Sequence, residues 1–206
     1  GSKSTAYNFG EKTSIIGGRW FSNAFQRPFK GYISNFRLVA GSFPYTITSP
    51  AGGSTVFSAG HSLKVPSSGT SNDLVIGTND FTLEFWVNLD AIPSPCVVYD
   101  TRENHAAGLM VNFNTSGNLR VYANSGYRIT ANAISTGSWH HYAIVRSSGT
   151  TKVYLDGVAD DETYSDSNNY TGNTAFIGKH NSNTGADFDG YISNLRLVVG
   201  TAVYTS

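Results

Sequence analysis

The sequence predicts an all-β protein whose strands pair in antiparallel order. The first observation is composition: the 206 residues include 22 glycines, 12 tyrosines and 12 phenylalanines, a mixture of turn-forming and strand-forming residues. The second is a set of short segments in which apolar and polar residues alternate with the period of a strand. The third is the lack of any helix-length segment with a 3.6-residue apolar repeat. Together these observations favour short strands joined by tight turns.

The clearest strand signal lies in residues 139–157. Over 139–146 the side chains divide into two alternating sets, and the segment is rich in aromatic and β-branched residues. Ser147–Gly149 supplies turn residues, and 152–156 then alternates again. Asp156-Gly157 suits a tight hairpin turn in which both central residues have positive φ. The stretch therefore predicts strand, turn, strand, tight turn and strand.

Other elements are predicted on either side of this stretch. Pro93 and Pro95 interrupt the chain between two predicted strands. Downstream, two long polar segments, 160–172 and 180–187, are predicted to be loops. Upstream, we expect strands at 56–57, 63–65, 81–88, 97–100, 109–113, 119–122 and 127–130.

Several of these segments together resemble a laminin G-like domain of the concanavalin A-like lectin/glucanase fold. The similar segments are Trp-His-His at 139–141, Val-Tyr-Leu-Asp-Gly at 153–157, the strand at 80–87, and the closing segments 176–178 and 188–196. Their order and spacing match the family over residues 55–206. The resemblance implies a jelly-roll β-sandwich of two antiparallel sheets. It does not by itself assign a function, because this fold carries lectins, adhesion modules, enzymes and structural parts.

A near-copy of the closing segment occurs near the beginning of the chain. Residues 29–41 repeat as 188–200 without a gap. We therefore predict three parts: 1–46 is the closing part of a preceding, incomplete unit, 47–54 is a linker, and 55–206 is the complete sandwich. The spacing is that of one whole domain, which predicts a tandem array.

The two copies would compete for the same position in a sandwich. Residues 15–41 are too apolar to remain unpaired, so we expect them to dock. They either take this position in their own chain and displace 191–198, or pair with a neighbouring chain and cause self-association.

Charge and cysteine content exclude several classes of function. The formal net charge is zero and only 14% of residues are charged, so the chain lacks the basic excess that nucleic-acid binding needs. No apolar stretch is long enough to predict membrane insertion. Cys96 is the single cysteine, so no disulfide can form within the chain.

The candidate catalytic residues do not form a recognised arrangement. His140 and His141 are adjacent on a strand, so their side chains point to opposite faces and cannot share a metal. Glu84 has no second acid on its own strand face, whereas glycoside hydrolysis uses two facing carboxylates. We therefore expect a non-enzymatic module, with a hydrolase as the minor alternative.

Polar and aromatic loop residues favour a glycan-binding or adhesion module. Such side chains stack on sugars and hydrogen-bond their hydroxyls, although they also suit protein contacts. A purely structural repeat for virion or fibre assembly is the main alternative. Because the closing segment resembles laminin G-like repeats of phage structural proteins, we expect a virion-surface or extracellular protein whose partner is a surface glycan. The predicted carbohydrate-binding residues are Arg102, Asn104, His105, Asn124, Tyr127, Arg128 and Asn183.

The resemblance also implies a calcium site. Laminin G-like domains often bind calcium between the opening loop and the loop before the last strand, where Asp187 and Asp189 lie in this chain. Calcium prefers several hard oxygen ligands. The opening loop, 58–62, lacks the acid that the family has there, and the alternative is that Asp189 caps a turn.

Overall fold

The computed structural model describes residues 19–21, 24–26, 55–57, 62–65, 74–92, 96–102, 107–181 and 187–205. These residues form strands, turns and bends, and none of them lies in a helix. The described part of the chain accordingly contains no helix with the length and hydrophobicity to span a bilayer.

Two six-stranded antiparallel sheets make up the fold. The strands are β1 (Arg19–Phe21), β2 (Ala24–Gln26), β3 (Thr55–Phe57), β4 (Leu63–Val65), β5 (Phe81–Leu89), β6 (Cys96–Asp100), β7 (Met110–Phe113), β8 (Asn118–Ala123), β9 (Gly126–Ala133), β10 (Trp139–Ser147), β11 (Thr150–Leu155), β12 (Val158–Ser165), β13 (Ala175–Ile177) and β14 (Gly190–Val199). The first sheet has the order β12-β11-β10-β5-β14-β3, and the second has the order β4-β13-β6-β7-β8-β9. The separate pair β1-β2 is also antiparallel. The predicted all-β, two-sheet sandwich is confirmed.

The hydrophobic core lies between the two sheets and follows the alternation of their strands. Along β5, Phe81, Leu83 and Phe85 are fully buried. Phe85 contacts the ring of Tyr142, which in turn meets Phe113 of the second sheet at a centroid distance of 5.7 Å. Truncating such a core aromatic to alanine costs about 3–5 kcal/mol. Packing of these rings therefore holds the sheets together.

The predicted central meander is present. β10 and β11 pair from Tyr142–Leu155 to Ser147–Thr150. At the next turn, Asp156 and Gly157 have φ values of 51° and 84°, as a two-residue turn between twisted strands requires.

One predicted loop is wrong: the first part of 160–172 belongs to β12. This strand pairs with β11 at the edge of the first sheet, and most of its side chains are exposed, so it carries no apolar alternation. Its acidic residues have a structural role. Asp160 Oδ2 accepts a hydrogen bond from the backbone N–H of Asn132 at 2.8 Å, and Glu162 accepts one from Thr130. These contacts link β12 to β9, the edge strand of the second sheet.

The closing strand β14 lies between β5 and β3. The alternative in which the N-terminal copy displaces 191–198 is therefore wrong, because the native strand occupies its own position. Gly190, at φ 141°, permits the close approach: a Cβ there would lie 2.2 Å from the backbone oxygen of Asn88. Apart from β1 and β2, the segment 15–41 lies outside the described residues, so its docking on a neighbouring chain stays a prediction.

A buried polar cluster around Arg146 holds two segments, 77–79 and 166–168, in place. The fully buried Arg146 donates hydrogen bonds to the backbone oxygens of Gly77, Asn79 and Asn168. Its guanidinium also lies 3.4 Å from Asp166, which is buried as well. A buried charge is tolerated only when it is paired and hydrogen-bonded, and this one is both.

Candidate functional site

The outer face of the second sheet carries a cluster of aromatic, basic and amide side chains. Val97, Met110 and Tyr122 form a small apolar group there, separate from the main core. We call this surface the open face. The residues that define it are Val97, Arg102, Met110, Asn112, Arg120, Tyr122, Tyr127 and His180.

One half of the open face is organised by Arg102. Its guanidinium makes two hydrogen bonds of 2.9 Å to the buried carboxylate of Asp100 and lies 4.7 Å from the ring centroid of Tyr122. Its Nη2 atom is also 2.9 Å from Met110 Sδ and 2.7 Å from His180 Nε2. Because an arginine can only donate, His180 Nε2 accepts, which requires the unprotonated nitrogen. Burial lowers the pKa of His180, the nearby carboxylate of Asp100 raises it, and the charge of Arg102 lowers it, so the net shift favours this neutral form.

The other half is built on the pair Arg120 and Tyr127. The Arg120 guanidinium lies 3.8 Å from the centroid of the Tyr127 ring, and Tyr127 is 44% exposed. Asn112 is the direct cross-strand neighbour of Arg120 and donates to Tyr127 Oη at 3.3 Å. Two buried atoms here, Asn112 Oδ1 and Arg120 Nε, have no hydrogen-bond partner among the described residues.

A β-bulge brings Tyr127 onto the open face. Val121 pairs with Ile129, but the next residue, Tyr122, pairs with Tyr127, so β9 has one extra residue at this point. The two tyrosine rings meet edge to face at 5.2 Å. The two-residue turn Asn124-Ser125, with φ values of 46° and 61°, joins the strands beside the bulge.

The predicted sugar-binding residues fall into separate groups. Arg102 and Tyr127 lie on the open face, in its two halves. Asn124 and Arg128 lie together at the β8–β9 hairpin, where Arg128 donates to the backbone oxygen of Asn124 and lies over the ring of Tyr164. This places Arg128 in a structural role at the rim.

Three predicted residues, Asn104, His105 and Asn183, lie outside the described part of the chain. Asn112 and Arg120 are not among the residues predicted from the sequence. Both alternate with core residues along β7 and β8, for example Arg120 between Leu119 and Val121, which are buried. The available signal was this alternation: a polar residue in a strand with an apolar inner face must point outward.

The outer face of the first sheet differs, because residues 201–205 lie across it; we call it the covered face. Arg196 and Tyr204 each hydrogen-bond one carboxylate oxygen of Glu84, and His141 Nε2 lies 3.7 Å away. Burial raises the pKa of the Glu84 carboxyl, but these hydrogen bonds and the charge of Arg196 outweigh burial and lower the pKa to about 2. Val203 N–H also donates to Thr82 Oγ1 at 2.8 Å. Glu84 thus holds the C-terminal segment in place.

The adjacent histidines have different partners. His140 Nδ1 lies 2.8 Å from Asp156 Oδ2, and its ring joins the turn that follows β11. On the covered face, the His141 ring contacts the Trp86 ring in a tilted arrangement, with 5.2 Å between the ring centroids. These contacts are structural.

The predicted metal ligands lie just before β14. Asp187 Oδ1 is buried without a hydrogen-bond partner, which leaves one hard oxygen available. The backbone oxygen of Asp189 accepts from Asp90 N–H at 3.1 Å, as expected of a turn. Among the described residues, no three His, Cys, Asp or Glu side chains come close enough to hold a metal ion. Of the described residues, Asp187 offers one unpartnered oxygen to calcium, and residues 58–61 of the opening loop lie outside the described part of the chain.

Comparison with protein families assigns the fold. Residues 58–201 match the laminin G family described as the concanavalin A-like lectin/glucanases superfamily. The chain belongs to this superfamily. No curated protein sequence is significantly similar to it.

Solved structures of the concanavalin A-like fold are similar to this chain. Domain 4 of AbnA, a GH43 extracellular arabinanase from Geobacillus stearothermophilus, in complex with arabinotriose, superposes with a TM-score of 0.56 at 21% identity, covering 88% of this chain and 86% of that one. The CBM40 of the Ruminococcus gnavus IT-sialidase, bound to α2,3 sialyllactose, has a TM-score of 0.56 at 10% identity, with coverages of 73% and 91%.

Domains LG4-5 of the mouse laminin α1 chain have a TM-score of 0.50 at 18% identity, covering 74% of this chain and 44% of that one. The chain therefore spans less than half of that fragment. At these identities the likeness shows the shared fold.

Proposed function

We propose that this chain is a non-enzymatic glycan-binding module and that the open face binds the sugar. The observation that carries this proposal is Tyr127, an exposed aromatic ring fixed by Arg120 on one side and by Asn112 at its hydroxyl. An aromatic ring held rigidly on a β-sheet offers an apolar platform to the C–H face of a sugar, and amide and guanidinium groups beside it hydrogen-bond hydroxyls.

The fold comparisons support this assignment. Two of the similar structures contain oligosaccharides, arabinotriose and sialyllactose. The repeated closing segment, 29–41 and 188–200, supports a protein built from several such modules. In such an array, weak single sites gain avidity, which suits attachment to a glycan-coated surface. We therefore place the module on a virion surface or in another extracellular array.

A glycan array, run with and without calcium, tests the proposal. Concentration-dependent binding to a defined set of glycans is expected. The whole chain should be used, and a hit should be repeated by titration calorimetry in solution. If no glycan binds, the glycan-binding proposal is wrong.

A non-enzymatic role predicts no turnover of any glycan that binds. Both oxygens of Glu84 are engaged by Arg196 and Tyr204, so the carboxylate is not available as an acid or a base. Reducing-end assays on each bound polysaccharide should remain at background. Turnover that disappears in Glu84→Gln or in Asp161→Asn would overturn this part of the proposal.

A structural repeat that mediates assembly is the second candidate. The observation that favours it is the apolar near-copy of β14 at 29–41, together with Trp86, which is 40% exposed on the covered face. Sedimentation at increasing concentration would show reversible association if this function dominates. Association of the chain, together with no binding to any glycan of the array, would favour assembly over glycan binding.

A further inference from the structure

The two arginines of the open face differ in their acidic partners. Arg102 contacts Asp100, whose carboxylate is already saturated: it accepts from the backbone and guanidinium of Arg102 and from Asn181 N–H at 3.2 Å. The Arg102 charge is therefore neutralised within the protein. Among the described residues, the charge of Arg120 has no such counterpart.

Arg120 makes no ion pair and no side-chain hydrogen bond with the described residues; its observed contact is the Tyr127 ring. The acidic residues of β12 have other partners, because Asp160 and Glu162 accept hydrogen bonds from backbone N–H groups of β9. Those carboxylates are engaged in joining the sheets. The charge of Arg120 therefore has no acidic partner in the described part of the chain.

The geometry of Arg120 is that of a prepared anion-binding group. Stacking on Tyr127 fixes the guanidinium plane, which reduces the side-chain entropy that binding must remove. A fixed guanidinium presents parallel N–H donors that match the two oxygens of a carboxylate or a sulfate. Beside it, the exposed ring of Tyr127 offers an apolar face to a sugar. The pair thus suits a sugar that carries an acidic group.

We infer that the open face selects acidic glycans, with Arg120 binding the carboxylate or sulfate of the sugar and Tyr127 stacking on its ring. This inference rests on the proposed glycan-binding function and specifies its ligand. The shared chemistry is a planar or tetrahedral oxyanion on a pyranose, which uronic acids, sialic acids and sulfated sugars all supply.

The test compares each acidic sugar with a neutral counterpart of the same skeleton. Titration calorimetry of the whole chain would use trigalacturonic acid against its methyl ester, 3′-sialyllactose against lactose, and a galactose 6-sulfate disaccharide against the unsulfated form. We expect at least one acidic probe to bind about tenfold or more tightly than its neutral partner, the scale of a charge-assisted hydrogen-bond pair. Which pair shows the preference identifies the source of the anion.

Variants assign the preference to the stacked arginine. Arg120→Gln should reduce the acidic preference to within about threefold, and Arg120→Lys should retain part of it because the charge remains. Lys152→Gln removes one positive charge from the first sheet and should leave the preference intact, which excludes an effect of net charge. Thermal melts establish that each variant is folded.

The outcomes separate this inference from the proposed function. If neutral and acidic partners bind equally, or if folded Arg120→Gln keeps the full preference, the acidic specificity is wrong while glycan binding stands. If no probe and no array glycan binds, both are wrong. The comparison of paired probes on the unmodified chain decides the specificity even if a variant does not fold.

Discussion

The charged side chains on the two outer faces of the sandwich differ in their hydrogen-bond partners. On the covered face, Glu84 has both oxygens hydrogen-bonded by Arg196 and Tyr204, and the C-terminal segment lies over it. On the open face, Arg120 contacts the ring of Tyr127 but has no acceptor among the described residues, and the buried Asn112 Oδ1 is also unpartnered there.

If the open face binds a glycan, as proposed, the two sheets divide stability and binding between them. A saturated polar cluster stabilises the folded state, because each group has exchanged water for a protein partner. An unsaturated one costs free energy in the free protein and recovers it when a ligand binds. Mutations in the saturated cluster should therefore change the free energy of unfolding. Mutations in the unsaturated cluster should change the affinity for a ligand.

The largest expected effect is on the covered face. Glu84→Ala leaves Arg196 and Tyr204 without their acceptor, so the free energy of unfolding should fall by about 2–3 kcal/mol. In a domain of this size that lowers Tm by about 4–10 °C, measured by calorimetry. Sugar affinity should not change. Asp161→Ala, at an exposed position of β12, is the control and should stay within about 0.5 kcal/mol; an equal loss there would remove the special role of Glu84.

The matching change on the open face is Tyr127→Ala. Losing a stacked aromatic anchor should weaken sugar binding by about 1–3 kcal/mol. The free energy of unfolding should change by less than about 1 kcal/mol, since the ring is largely outside the core. Titration calorimetry measures the affinity, with Trp139→Ala, an equally exposed aromatic on the first sheet, as control. Unchanged affinity in Tyr127→Ala would move the site elsewhere.

Lowering the pH should destabilise the contacts of the covered face more than those of the open face. The pKa of Glu84 falls from 4.5 to about 2 on folding, so the folded state favours the ionised form. Its contribution to stability is complete above pH about 4.5 and is lost as the pH falls towards about 2. Urea unfolding at several pH values should show a steeper loss in the wild type than in Glu84→Gln. Identical slopes would mean that the carboxylate is not held in this way.

The smallest expected effect concerns calcium. A cation at the unpartnered oxygen of Asp187 should raise the free energy of unfolding by about 1 kcal/mol when its concentration is roughly five times Kd. Thermal melts with calcium, magnesium and chelator would measure it. Asp187→Asn should abolish the increase. If calcium does not change the stability of the wild type, the calcium prediction is wrong and Asp189 keeps only its turn contact.

The sequence predicts the structure correctly where the signal is local. The β10–β11 hairpin and the Asp156-Gly157 turn follow from alternation and from the φ requirements of a short turn. It failed for β12, because an exposed edge strand needs no apolar face. The burial of Arg146 could not be predicted from the sequence either, because the carbonyls that accept from it lie at 77, 79 and 168, far apart in the chain.

The candidate site was predicted only in part for a similar reason. Tyr127 and Ile129 are two residues apart, so regular alternation would place both in the core. The bulge opposite Tyr122 separates them, and a bulge is a property of two paired strands. Selecting Arg120 requires knowing that the described acids have other partners, which depends on the positions of Asp100 and β12.

The strand order also dictates when each face can form during synthesis. β6, β7, β8 and β9 are consecutive in the chain and in the second sheet, so the open face, apart from His180, arises from neighbouring hairpins. The first sheet instead waits for β14, which pairs with β5 roughly 110 residues upstream. Until that strand leaves the ribosome, one edge of β5 lacks its partner and Glu84 lacks Arg196 and Tyr204. The hairpins of the second sheet can therefore form before the first sheet is complete, and until β14 pairs, the unfinished β5 edge is open to other strands.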